Sequence, residues 1–182
     1  MKFIGLLCLL TLACAFVGLA QSDRYTDPKI GDEFIDFTLP VATKDSVSMS
    51  DLRLASLVGV KNIVLAFYPA DWSGGCTKEV CALRDNIAEL AKLNAEVIGI
   101  SGDYVYSHHE WAKLHSLPFM LASDHSHGIA ARYKSYNEST GYNKRTVFVI
   151  DMKGRIAYFD LAYSTKDATS FTKLQEALTK LQ

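Results

Sequence analysis

The strongest constraint on this 182-residue chain is NIVLAFY at Asn62–Tyr68, apolar after its first residue and stopped by Pro69. A continuous run of this length, rich in β-branched and aromatic residues, predicts a strand buried on both faces. Behind it the period changes. Val80, Leu83, Ile87 and Leu90 recur at spacings of three and four, with Lys78, Arg84, Asp85 and Glu89 on other faces, which predicts an amphipathic helix. A second apolar run, EVIGI at Glu96–Ile100, follows. Two such strands connected by a helix form a βαβ unit with parallel strands. The pattern continues with a helix over Tyr106–His115, a strand over Phe119–Ala122 and a short helix over Gly128–Tyr133. Thr146–Ile150 and Arg155–Tyr163 read as strands joined by the turn Asp151–Gly154, short enough for an antiparallel hairpin. Phe171, Leu174, Leu178 and Leu181 make the last helix amphipathic, and Ile30–Leu54 is strand and turn material. The expected architecture is α/β: a mixed central sheet with helices on both faces and an N-terminal strand or hairpin extension.

The chain starts differently. MKFIGLLCLLTLACAFVGLA at Met1–Ala20 carries one charge, Lys2, then an apolar run and small residues at Gly18 and Ala20. This is the pattern of a secretory leader cleaved after Ala20, which makes residues 21–182 one domain and its expected location secreted or periplasmic. The run is short for a spanning helix and polar Gln21–Arg24 follows at once, so stable membrane insertion is not expected. A lipid anchor on Cys14, after Thr11-Leu12-Ala13, is the lesser alternative. Net charge is −1, from 19 basic and 20 acidic residues, which gives no electrostatic reason to expect nucleic acid as a partner.

Of the four cysteines, cleavage would remove Cys8 and Cys14 and leave Cys76 and Cys81. In an oxidising compartment an even count usually signals a structural disulfide. Two cysteines five positions apart close so small a loop that a bond between them adds little stability, which points to chemistry. Cys76 falls just past a buried strand, at the start of a helix, where unpaired N–H groups and the helix dipole favour a thiolate. On an unbroken helix the two residues would be about 7.5 Å apart along the axis and about 140° apart around it. That is too far for a disulfide, so the pair either belongs to separate functions or must unwind the first turns of the helix to bond. By phase, Cys76 shares the inward stripe of Val80 and Leu83, whereas Cys81 shares its own with Arg84 and Asp85.

The segment FYPADWSGGCTKEVCALRD resembles the peroxiredoxins, whose pattern is Pro, three residues, Thr or Ser, two residues, Cys; here Pro69, Ser73 and Cys76. The C-x4-C spacing resembles the peroxiredoxin Q, or bacterioferritin comigratory protein, branch. Ordered matches run through IGDEFIDFTLP, VSMSDL, EVIGIS, LPFMLASD and RTVFVID. The resemblance implies a thioredoxin-like fold and a thiol peroxidase acting on hydrogen peroxide or small organic hydroperoxides, without metal, haem or flavin. It implies Cys76 as the peroxidatic nucleophile and Cys81 as the resolving thiol. Ser73 would bond the peroxide, Pro69 would shield the thiol, and Arg145 would be the stabilising cation, oriented by Glu79. A thioredoxin-like dithiol would be the reductant, and the expected assembly is a monomer or weak dimer. Ser73 stands where the family usually has Thr, Gly74 where this branch commonly has Pro, and Trp72 is unusual and would cover the pocket or bind a partner.

Two rival readings stay open on the residues alone: an exported thiol-disulfide oxidoreductase, and a non-catalytic binding protein on the same scaffold. Against the first stand the C-x4-C spacing and the lack of a proline before Thr146. His108, His109, His115, His125 and His127 offer metal-ligand types, but His108 and His109 point about 100° apart on a helix, so no metal site is expected. Asn137-Glu138-Ser139 is a glycosylation sequon.

Overall fold

The computed structural model describes residues 26–182, so the leader expected over Met1–Ala20, with Cys8 and Cys14, lies outside the described residues. Strand β3, Asn62–Phe67, is buried at every position. Its side chains alternate between two apolar clusters, Val64 and Ala66 joining one and Ile63, Leu65 and Phe67 the other, which is why the run carries no polar alternation. Beside it lies β4, Ala95–Ser101, parallel and in register from Asn62↔Ala95 to Phe67↔Ile100. Strand β5, Met120–Ser123, extends the sheet in parallel from β4.

The N-terminal extension is a hairpin of β1, Thr38–Ala42, and β2, Val47–Arg53. It pairs with β5 and becomes an edge of the main sheet, not a separate element. On the opposite side, β8, Thr146–Ile150, runs antiparallel to β3, and β9, Ile156–Asp160, antiparallel to β8. The order is β2-β1-β5-β4-β3-β8-β9.

Helices α1, Gly74–Asp85, α2, Ile87–Lys92, α3, Val105–Leu114, and α5, Ala168–Thr179, supply Val80, Leu83, Leu90, Trp111, Leu174 and Leu178 to one cluster. The other face is covered by the short α4, Gly128–Arg132, and by Phe37 and Leu54 from the N-terminal segment. The layers match the expectation of a mixed sheet covered on both faces, although one cover is mostly non-helical. Among the described residues no helix is long and apolar enough to cross a membrane.

Three features differ from the sequence reading by more than a residue at an element's end. The single helix expected through Leu90 is two, because Asn86 adopts φ −107°, ψ 8° and its Nδ2 donates to the Ala82 carbonyl at 2.8 Å, ending α1. The last strand stops at Asp160, short of Tyr163. A hairpin of β6, Tyr136–Asn137, and β7, Tyr142–Asn143, went unanticipated; it carries the sequon, where Asn137 Oδ1 accepts from Ser139 N–H and Oγ–H.

Candidate active site

Beyond β3 the chain passes through Tyr68 and half-buried Pro69 into a loop that ends at Ser73. Ser73 has the extended backbone of an N-cap, and its Oγ accepts the Cys76 N–H at 3.3 Å. Accepting there leaves the hydroxyl proton to donate elsewhere. The Ser73 carbonyl takes the Thr77 N–H at 2.9 Å and the Thr77 hydroxyl at 3.0 Å, which fixes the first turn of α1. Cys76 therefore sits where unpaired helix N–H groups and the dipole favour negative charge. It is fully buried, while Gly74 and Gly75 before it are exposed.

Strand direction brings the cation. Because β8 is antiparallel to β3, with Phe67 opposite Thr146, the residue preceding β8 lies at the end of β3 from which the cysteine loop leaves. That residue is Arg145. Its Nη2 donates to Cys76 Sγ at 3.2 Å, and its Nη1 donates to Glu79 Oε2. Gly75 makes room for it: a Cβ there would lie 2.8 Å from Arg145 Nη2. Burial pushes the Glu79 carboxyl up to about 7 against the pull of Arg145, and Glu79 Oε1 has no hydrogen-bond partner. Burial also works against the Arg145 charge, but Glu79 and Cys76 outweigh it and hold that group above its ordinary value. The two shifts favour opposite states of the pair. The contact geometry decides for a permanently charged Arg145, with Glu79 exchanging its proton near neutrality.

Cys81 lies on the same helix, half-buried and turned away from the core, as its phase predicted. Its Sγ is 4.0 Å from His115 Nδ1, and Arg84 Nη1 donates to the His115 carbonyl at 2.8 Å. Both cysteines are free thiols on one continuous helix. Their axial separation of about 7.5 Å means that joining them requires the start of α1 to open.

A third group escaped the sequence reading. Asp71, in the loop, and His108, on α3, form a pair whose side chains are both completely buried, Oδ2 accepting from Nδ1 at 2.9 Å. Trp72 does not fold inward as a cover: it is 56% exposed and its indole N–H donates to Ser107 Oγ at 2.9 Å. No local motif announces Asp71, and the only sequence signal for His108 was its abundance of histidine neighbours. The other histidines each use Nδ1 elsewhere, His109 on the Thr43 carbonyl, His125 on the Gly102 carbonyl and His127 on Asn143 Oδ1. Among the described residues no group of three or more His, Cys, Asp or Glu is placed to hold a metal ion.

The model of the AhpC/TSA family matches residues 30–159. The chain is 40% identical over 124 residues to a chloroplastic peroxiredoxin Q of Triticum aestivum, covering 68% of this chain and 54% of that one, so it spans about half the wheat protein's length. It is 34% identical over 134 residues to peroxiredoxin Bcp of Bacillus subtilis, covering 70% of this chain and 82% of that one. Among solved structures, peroxidoxin BcpB from Mycobacterium tuberculosis superposes with a TM-score of 0.73 at 31% identity, covering 85% of this chain and 99% of the other.

Proposed function

The chain belongs to the AhpC/TSA family, and we propose that it is a thiol-dependent peroxidase whose cycle runs on Cys76 and Cys81. The observation that carries this reading is the Arg145 guanidinium 3.2 Å from Cys76 Sγ at the first turn of α1. The Cys76 thiolate attacks the terminal oxygen of ROOH; the S–O bond forms, the O–O bond breaks, and the alkoxide takes up a proton and leaves as ROH. Arg145 stabilises the thiolate and the charge moving onto the oxygens, and the Ser73 hydroxyl donates to the peroxide. Pro69 keeps bulk water from the thiol. The start of α1 then opens and the Cys81 thiolate attacks the sulfenic sulfur; the S–S bond forms, the S–O bond breaks, and the departing hydroxide takes up a proton to leave as water. An external thioredoxin-like dithiol reduces the disulfide by exchange and becomes a disulfide itself.

The chain requires no metal or organic cofactor in this scheme, and a monomer or weak dimer suffices because both cysteines lie on one helix. The leader motif supports an exported protein, and hence an exported dithiol donor. The rival oxidoreductase and binding readings gain no support from the C-x4-C spacing or from the relatives' names.

The test is peroxide consumption by the reduced protein beside Cys76→Ser and Cys81→Ser. Wild type should turn over, Cys76→Ser should not, and Cys81→Ser should stop after one equivalent with Cys76 as sulfenic acid. Turnover that survives loss of Cys76 refutes the peroxidase reading; steady turnover without Cys81 removes its resolving role. Mass spectrometry of the exported N-terminus, expected to begin at Gln21, tests the leader.

A further inference from the structure

The loop between β3 and α1 has two ends with different attachments. Its last residue, Ser73, belongs to α1 through the cap on Cys76. The residues before it are fastened elsewhere. Asp71 Oδ1 accepts the Tyr68 hydroxyl at 2.9 Å; Oδ2 accepts His108 Nδ1 at 2.9 Å and Ser107 Oγ at 2.8 Å. The Asp71 N–H donates to Asp103 Oδ2 at 2.8 Å, and that carboxylate also accepts Ser101 Oγ at 2.7 Å. Trp72, held at φ +60°, closes the set through its indole N–H on Ser107. A non-glycine residue persists in that left-handed region only where its surroundings over-determine it. Apart from Tyr68 at the end of β3, every one of these partners lies between residues 101 and 108, on β4 or the start of α3 and the turn joining them.

The chemistry of the pair is defined as well. A carboxylate only accepts, so His108 carries its proton on Nδ1, and Nε2 has no partner in its buried surroundings. With both Asp71 oxygens occupied and both side chains completely buried, the pair is shielded from solvent competition. Immediately after the clamp come Ser73, Gly74 and Gly75, and a Cβ at Gly74 would meet no atom within 4 Å.

We propose that Asp71 and His108 are positioning residues that hold Pro69–Trp72 fixed on β4 and α3 while α1 opens at Gly74–Gly75, so that the peroxide site re-forms on a stationary wall after each turnover. This deepens the peroxidase reading and rests on its assignment of Cys76 and Cys81. The pair touches neither the sulfur nor the peroxide in this scheme; it acts through the loop that carries Pro69 and leads to Ser73.

The test has two arms. The first is amide hydrogen exchange on the reduced and disulfide forms. In the wild type, oxidation should deprotect amides of residues 76–80 while the Asp71 amide keeps its protection; in His108→Leu both should lose it. Loss of Asp71 protection on oxidation of the wild type, parallel to that of α1, overturns the clamp even if peroxidase activity is confirmed. The second arm is the pre-steady-state reaction of the reduced protein with hydrogen peroxide. His108→Leu should slow it roughly 10- to 100-fold, mainly by raising the peroxide concentration that half-saturates the observed rate. His108→Asn, which restores a donor near the Nδ1 position, should recover most of the rate. An unchanged rate in His108→Leu, or equal losses in the Leu and Asn variants, refutes positioning. Should His108→Leu not fold, Trp72→Phe removes one tie alone and should give a smaller loss of the same kind, and an unchanged rate there also counts against the clamp. Survival of turnover in Cys76→Ser would instead sink the peroxidase assignment and leave the exchange pattern to be judged separately.

Discussion

A Cβ on Gly75 would lie 2.8 Å from Arg145 Nη2, the nitrogen that donates to Cys76 Sγ. The missing side chain is what lets the guanidinium reach the sulfur. Gly75→Ala should therefore push Arg145 aside and reduce kcat/KM for peroxide by roughly 100-fold, the scale of losing one transition-state donor. Alanine is the better helix former by about 1 kcal/mol, which offsets part of the cost of drawing Arg145 from buried Glu79, so the thermal midpoint should move little while activity falls steeply. Activity and stability falling together would contradict this account. Gly74→Ala is the control: it meets no atom within 4 Å, leaves the peroxide step alone, and slows disulfide formation about fivefold by stiffening the helix start.

Ser73 both caps α1 and keeps a proton to donate. Ser73→Ala should cost about 1 kcal/mol of stability through the lost cap, measurable by urea unfolding, and also slow the peroxide reaction. Ser73→Thr retains the hydroxyl and adds a methyl that restricts χ1, so its rate should equal or exceed the wild type's. A Thr variant as slow as the Ala variant would show that the hydroxyl is not the operative group.

Glu79 gives a pH dependence with a defined sign. Its carboxyl titrates near 7 in the folded protein, above its unfolded value, because burial favours the neutral form. Between about 4.5 and about 7 the native state binds more protons than the unfolded chain, so this group's contribution is fully present below that window and is lost as pH rises through it. The stability difference between wild type and Glu79→Gln should shrink in the wild type's disfavour by on the order of 3 kcal/mol across the window. A difference that stays flat with pH would show that Glu79 is ionised throughout. In the same range the new Glu79 charge offsets Arg145, so Glu79→Gln should also react faster with peroxide above pH 7.

His115 is the basic ring beside Cys81, 4.0 Å from its sulfur. His115→Ala should slow disulfide formation several-fold while the preceding peroxide step keeps its rate, since general-base help acts only on the resolving thiol. Rapid-quench measurement of the two steps separates them, and equal slowing of both would refute the assignment.

The sequence exposed most of the sheet because β3, β4 and β8 are buried runs whose composition is nearly all apolar. It hid the break at Asn86 for a physical reason. Leu83 and Leu90 pack on the same cluster from two helices, so the three-four period continues across the kink. Strands of two residues, β6 and β7, are too short to show any period. Cys76 was legible from its place after a strand, whereas Arg145, 69 positions away, entered only through resemblance to a family. The Asp71–His108 pair spans 37 positions with no motif linking its members, and only the packing of α3 beside the loop brings them together.

The antiparallel seam between β3 and β8 has a consequence for biosynthesis. The nucleophile belongs to a strand–helix segment made in the middle of translation, while its cation precedes a strand made near the end. Until β8 docks against β3, Cys76 is without its guanidinium. Oxidant sensitivity is thus acquired in a late assembly step, and a truncated or half-made chain carries the cysteine without the hazard.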